Sequence, residues 1–366
     1  MQFRIGRIIL PVFLFILLGM NQLTLAAGLK SQVLILDIPR FTFEDLGEDT
    51  PWLRLLVEGG AVGIMTTPLT EPLTLERVYL AFNSGTQLKA TEEAVQFYNE
   101  DEEYQGLKAG SLYRSLTGVR ISPGAAANLG FPRLIQLNNN KAGVSNIGLL
   151  GKILHQQGIK TAVIGNADAD LPNRDSALLV MDERGRVDYG SVGSETMKED
   201  QGFPFGVRTD PEKVYNKWIS FRAQAAMNVI SLGDLERIER FSVYLNPALK
   251  QRYRQEVLRD YDRFIGKILA TEDLKDTLLI VFSGLPPIPL KNNDAKGNRL
   301  TSTRLTPVII RGPGFIPGVI FSGSTRKAGI VTCYDLPATI IRFFNISKSD
   351  YPNRHFLSSR PVKPEQ

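Results

Sequence analysis

Three residues of the 366 stand where side-chain chemistry is commonly placed: Asp37, Thr74 and Asp234. Asp37 ends the run Val33-Leu34-Ile35-Leu36 and is followed by Ile38-Pro39-Arg40; Asp234 follows Asn228-Val229-Ile230-Ser231-Leu232-Gly233. Runs of β-branched and large apolar residues without polar alternation read as strands buried on both faces, the habit of a parallel sheet. Ligands of open α/β sheets bind in the crevice beyond the carboxyl ends of such strands. An aspartate there either serves chemistry or caps the next element and orders a turn. Thr74 precedes the helical pattern Leu75 to Phe82, with Glu76 in its first turn. A hydroxyl at that point is either a plain N-cap or part of an anion site formed with the first backbone N–H groups.

The elements that must position these residues can be read in order. Pro51 to Gly60 is a short amphipathic helix with a proline start and a glycine stop, and Ala61 to Thr67 is a strand. Residues 91–140 turn polar, acidic at Asn99-Glu100-Asp101-Glu102-Glu103 and then rich in glycine and asparagine. They predict an irregular insertion, or a mobile surface segment, over the sheet edge. The α/β rhythm returns with a helix over Ile147 to Gln157, stopped by Gly158, and a strand over Lys160 to Ile164. Ala177 to Met181 and Val187 to Tyr189 predict a hairpin around Asp182-Glu183-Arg184-Gly185. Helices follow over Lys213 to Met227 and Arg252 to Ala270, then strands over Thr277 to Ser283 and Thr306 to Ile310. Between those two strands lies a polar loop, Lys291 to Arg299, and after them the turn Gly312-Pro313-Gly314. A last helix is entered through Asp335-Leu336-Pro337, and residues 347–366 read as a polar tail. Strands alternating with helices over this length predict a doubly wound, mostly parallel α/β sheet flanked by helices.

The first 27 residues read as an export signal: Arg4 and Arg7, an apolar stretch from Ile8 to Met20, and small residues before Ala27. The apolar stretch is shorter than the ~20 residues of a membrane span, so no stable span is expected once it is cleaved. Retention as an anchor is the alternative. Cys333 is the single cysteine, which precludes an intramolecular disulfide and favours a bacterial-type periplasmic or extracellular setting. Loss of Arg4 and Arg7 takes the formal charge from +5 to +3, with basic residues scattered rather than clustered. That pattern gives nucleic-acid binding no support.

Taken together, the pieces resemble the alkaline phosphatase superfamily, which includes the sulfatases and the cofactor-independent phosphoglycerate mutases. The resemblance runs from about Val33 to Ile346, apart from the insertion. It rests on an early strand ending in Asp, a Thr at a helix start and a middle strand ending in Asp. A late Pro307-Val308 strand with Gly312-Pro313-Gly314 and the closing Asp335-x-x-x-Thr339-Ile340 helix complete it. The resemblance implies two divalent metals at the strand ends, a Ser or Thr nucleophile and two-metal stabilisation of the transferred group. By position it implies Asp37 and Asp234 as metal ligands and Thr74 as nucleophile.

The remaining ligands depart from that pattern. Ile238 stands four residues after Asp234 where the family has His, and Gly284-Leu285 stands where it has Asp-His. Thr301 falls near the position of the late histidine. The two histidines of the chain, His155 in a helix and His355 near the C-terminus, are not placed to substitute. Zinc sites need three or four His, Cys or carboxylate ligands per metal, so the full two-zinc site is not expected. One hard cation, Mg²⁺ or Ca²⁺ completed by waters, is what two aspartates could serve.

Two functions follow from this reading. The first is an exported, catalytically degenerate scaffold that binds an envelope partner or a small anionic ligand. The second is a hydrolase or phosphotransferase of reduced metal need acting on phosphoesters or sulfoesters through Thr74. A binding protein of unrelated doubly wound fold is a third class. In a dead site, Leu285, Ile238 or the 91–140 segment would fill or cover the region.

Overall fold

The computed structural model describes residues 31–70, 72–139, 146–288, 305–347 and 350–362. Ten strands form the central sheet: β1 (Gln32–Asp37), β2 (Ala61–Thr66), β3 (Thr161–Ile164), β4 (Tyr189–Ser191), β5 (Met227–Ser231), β6 (Thr277–Phe282), β7 (Leu305–Arg311), β8 (Gly318–Ser322), β9 (Ile330–Thr332) and β10 (Leu357–Arg360). Their order is β10-β8-β2-β7-β6-β1-β5-β3-β4, with β9 also on β2. From β6 through β1, β5 and β3 to β4 every pairing is parallel. Antiparallel pairing enters where β7 lies between β6 and β2, and again at the edge where β10 meets β8.

β1 lies between β6 and β5, so its alternate residues enter two cores. Val33 and Ile35 join one cluster with α2 (Leu75–Ser84), α5 (Leu149–Gln156) and α9 (Asp335–Phe343). Leu34 and Leu36 join the other with α1 (Pro51–Gly59), α6 (Pro211–Arg222), α7 (Asp234–Phe241) and α8 (Pro247–Thr271). Helices therefore cover both faces, as the unbroken apolar run of β1 predicts. The mostly parallel α/β sheet is the expected fold class. Among the described residues no helix is long and apolar enough to cross a membrane.

Four expectations are corrected. Residues 91–139 are ordered rather than irregular. They form short strands at Phe97–Asn99 and Ala126–Asn128, with α3 (Ala109–Thr117) and α4 (Phe131–Leu137), around a small core of Tyr98, Tyr113 and Leu129. Arg174 fastens them to the main domain by gripping Glu102 at 2.7 Å and Asp168 at 3.0 Å. They do lie at the sheet edge: a Cβ on Gly190 of β4 would sit 2.3 Å from Ala126 Cβ. The predicted hairpin is absent, because Asp175–Leu179 is a buried 3₁₀ helix, Arg186–Val187 pairs with Ala126–Ala127, and Tyr189–Ser191 joins the main sheet. The C-terminal stretch read as a polar tail contains β10, with Leu357 and Tyr351 buried. Lastly, the helix read over Lys213 to Met227 ends at Arg222, and Met227 already belongs to β5. The export segment, the Lys291–Arg299 loop and Thr301 lie outside the described residues.

Candidate functional site

β1 delivers Asp37 to the carboxyl edge of the sheet, in register with Ser231 of β5 and Phe282 of β6. The residue is fully buried. Tyr79 Oη donates to Oδ1 at 2.8 Å and Ser176 Oγ to Oδ2 at 2.6 Å, and Ser176 Oγ lies 2.8 Å from Ser231 Oγ. Burial pushes the Asp37 carboxyl up to about 7, against the pull of the Ser176 and Tyr79 hydroxyls and with a push from Glu236. Tyr79 is itself raised well above its ordinary value, by burial first and then by the Asp37 charge. The Tyr79 ring occupies the space that Gly284 leaves open: a Cβ on Gly284 would lie 2.6 Å from Tyr79 Cε1 and 2.8 Å from its Oη. Gly284 is thus a residue whose missing side chain makes room for the tyrosine that caps Asp37.

After β1 the chain turns at Arg40, whose φ of 68° is unfavourable for a residue that carries a Cβ. The conformation is held from several sides. The Arg40 backbone N–H donates to Leu285 O at 2.9 Å, its Nη1 to Pro286 O at 2.7 Å, and its Nε to Glu236 Oε2 at 2.5 Å. Arg40 therefore ties the end of β1 to the loop after β6 and to α7.

Asp234 opens α7 and faces a different environment. Its Oδ1 accepts from Arg237 Nη1 at 2.6 Å, from the Thr209 N–H at 2.9 Å and from Thr209 Oγ1 at 3.2 Å. Arg237 is fully buried, and its remaining N–H groups donate to Asn166 and to the carbonyl of Asp168. Asp37 and Asp234 have no hydrogen-bond partner in common.

Thr74 occupies the N-cap position of α2 with extended backbone (φ −130°, ψ 159°), and its carbonyl accepts from Val78. Its side chain makes no capping hydrogen bond; the buried Oγ1 has no partner of normal geometry, although the Glu76 carboxyl is close enough to feel it. Thr74 lines a cleft of about 260 Å³ together with Arg40, Glu76, Glu92, Asp175, Glu236 and Leu285. Asp175 is raised well above the ordinary carboxylate range by burial first and by the neighbouring Glu76 second. Glu76 is raised by burial too.

Of the three residues singled out from sequence, Thr74 lines this cleft, Asp37 is buried on Ser176 and Tyr79 outside its lining, and Asp234 is sealed in an ion pair. Leu285 lines the cleft and the 91–139 region contributes Glu92, whereas Ile238 is buried in the opposite core. The sequence reasoning missed Tyr79, Ser176, Asp175, Glu236 and Gly284 as parts of the site. The one signal on offer was Gly284 itself, a residue without a side chain shortly after a buried strand.

The donors do not fit the metals that the family resemblance implies. Asp234 is already paired with the Arg237 guanidinium, a positive charge that a metal cation would have to approach, and Asp37 is held by two neutral hydroxyl donors. Among the described residues no group of three or more His, Cys, Asp or Glu side chains is placed to hold a metal ion.

No family model and no curated protein matches the chain. Among solved structures it is similar to a protein of the alkaline phosphatase superfamily from Vibrio parahaemolyticus, with a TM-score of 0.49 and 15% identity over 85% of this chain and 65% of that one. It is also similar to the lipoteichoic acid synthase LtaP from Listeria monocytogenes, with a TM-score of 0.48 and 15% identity over 89% of this chain and 74% of that one. A third neighbour is alkaline phosphatase from the Antarctic bacterium TAB5, with a TM-score of 0.48 and 11% identity over 87% of this chain and 98% of that one. A variant of that last enzyme was solved with Mg bound.

Proposed function

We propose that this chain is an exported, catalytically degenerate scaffold of alkaline-phosphatase-like design that binds a partner at the cleft beside Thr74. The observation that carries the reading is the state of Asp37. A carboxylate that should meet a cation is instead capped by two hydroxyls, and Gly284 admits the tyrosine that caps it. The ion pair at Asp234 supports the same reading, since its charge is already neutralised from within. Neither histidine of the chain lines the cleft beside Thr74.

The cleft changes the sign of the expected ligand. Its wall carries four carboxyl groups, Glu76, Glu92, Asp175 and Glu236, against the two guanidinium groups of Arg40 and Arg240. A small anion would enter against that balance, so a ligand bearing positive charge is favoured.

One observation favours a second reading, a metal-dependent phosphoester or sulfoester hydrolase: the Thr74 hydroxyl lines the cleft without a hydrogen-bond partner of normal geometry. Metal content of protein purified without chelator, measured beside hydrolysis of a phosphomonoester and a sulfate ester, separates the two. The scaffold reading expects neither stoichiometric metal nor turnover. Bound metal together with turnover that Asp37→Ala abolishes would replace it with the hydrolase.

A further inference from the structure

Arg40 and Arg240, the two cationic side chains in the cleft wall, are already engaged. Arg40 binds Glu236 at 2.5 Å and Arg240 binds Asp170 at 2.8 Å. Glu76, Glu92 and Asp175 have no basic side chain among the described residues within 4.0 Å. The wall that holds them also holds the buried Thr74 oxygen, itself without a partner of normal geometry. Burial first and then the charge of Glu76 push the Asp175 carboxyl upward, and Glu76 is raised by burial with a further push from Glu92.

The cleft does not end at Arg240. Its guanidinium lies 6.0 Å from the centre of the Phe205 ring. Phe205 packs edge-on against Phe241 at 5.0 Å, and Phe241 stands 5.1 Å from Tyr244. Phe205 is a bulky residue held at a φ of 62°, a conformation retained only where the surroundings impose it. Tyr244 is 77% exposed and Val243 beside it 82% exposed. On the cleft wall itself Leu171 is 56% exposed. An apolar ledge therefore continues from the acidic cleft through one shared residue.

We infer that cleft and ledge form one docking surface for a segment of another protein that carries a lysine or arginine among aromatic or aliphatic residues. The basic side chain enters between Glu76, Glu92 and Asp175, and its apolar neighbours cover Phe205, Phe241, Val243 and Tyr244. This rests on the scaffold reading and names its partner. The two halves demand different things of the occupant. A bare cation or a small amine would satisfy the carboxyl groups and leave the ledge wet, and an apolar surface alone would leave the carboxyl groups uncompensated. A basic, apolar peptide segment satisfies both, with the charge giving orientation and the aromatic contacts most of the affinity.

The test is to pan a phage-displayed random peptide library on the purified protein and, in parallel, on Glu92→Lys and Tyr244→Ser. Both positions are exposed, and circular dichroism melts establish that the substituted proteins fold. Sequences enriched on the parent should pair Lys or Arg with aromatic or aliphatic residues. Synthetic versions should weaken by at least about tenfold when the basic residue becomes glutamine, and by a similar factor on either substituted protein. Enrichment of acidic sequences, equal enrichment on the parent and on both substituted proteins, or affinity indifferent to both substitutions would overturn the proposal. Binding to phosphatidylglycerol vesicles that is lost in Tyr244→Ser, with no peptide enriched, would assign the ledge to a membrane surface instead. A protein without metal or turnover that selects no basic peptide keeps the scaffold reading and sinks this inference alone. A metal-loaded, active protein sinks the scaffold reading first.

Discussion

Asp37 and Asp234 are two aspartates at or just beyond the ends of neighbouring strands, β1 and β5, and the fold surrounds them in opposite ways. Asp37 is surrounded by neutral hydroxyl donors, so its charge is unpaired and burial pushes the carboxyl up to about 7. Asp234 keeps a full counter-charge, the buried guanidinium of Arg237 at 2.6 Å. One strand end carries a titrating acid and the other a closed ion pair. Neighbours distant in sequence thus set the charge state of each aspartate.

The largest effect expected from this contrast lies at the ion pair. Arg237→Leu would leave the Asp234 carboxylate buried without its cation and strand the acceptors at Asn166 and Asp168. Breaking a buried pair by removing one partner costs about 3–5 kcal/mol, read as a fall in urea unfolding free energy at pH 7. A loss under about 1 kcal/mol would mean that water or another group takes over the neutralisation, and the two aspartates would then not differ as described.

Asp37 should behave in the reverse sense, through pH. Its folded-state pKa lies above its unfolded value of 3.8, so between those values the folded protein binds more protons than the unfolded chain. The stability it contributes is fully present below about pH 4 and is lost as pH rises through about 7. Asp37→Asn removes the charge and keeps the size. The substituted protein should match the parent below about pH 4 and exceed it by about 4 kcal/mol near pH 8, an order-of-magnitude figure from the buried shift. Urea midpoints across that range measure it; parallel curves for the two proteins would show that Asp37 does not titrate as described.

A smaller effect is expected where the tyrosine meets its vacant neighbour. Gly284→Ala would place a methyl group 2.6 Å from the Tyr79 ring, and overpacking of this kind costs about 1–3 kcal/mol. If the ring is what the glycine accommodates, the same substitution in a Tyr79→Ala background should cost markedly less. Equal losses in both backgrounds would break the link between Gly284 and the capping of Asp37.

How far the sequence carried depends on the range of the interactions involved. β1 was legible because Val33 to Leu36, apolar without alternation, leaves one reading, a strand covered on both faces. The 91–139 region was not, because its strands are two or three residues long and are held by distant charges such as Arg174 on Glu102. β10 hid behind Ser358, Ser359 and Arg360, polar residues suited to an edge strand, and its anchor is the Thr339 hydroxyl, which accepts the Leu357 N–H at 2.8 Å. Asp37 and Thr74 were singled out by type and position, and the structure places Thr74 on the cleft and Asp37 buried at the end of β1. Tyr79 did not, since an aromatic in an amphipathic helix reads as core until its hydroxyl is seen 2.8 Å from a carboxylate 42 positions away.

The smallest change sharpens the comparison most. Tyr79→Phe keeps the ring that fills the space beside Gly284 and deletes only the hydroxyl on Asp37 Oδ1. A hydrogen bond of this kind is worth about 1–1.5 kcal/mol net. Because the Tyr79 hydroxyl pulls the Asp37 pKa down, its removal should raise that pKa, and with it the pH range over which folding takes up a proton. Urea midpoints from about pH 5 to about pH 9 would show the stability loss concentrated on the alkaline side, where the carboxylate is charged and misses its donor. Near pH 5, with Asp37 protonated, parent and Tyr79→Phe should nearly coincide. A loss independent of pH would place the role of the hydroxyl in packing alone, and Asp37 would then be held by Ser176 without help from Tyr79.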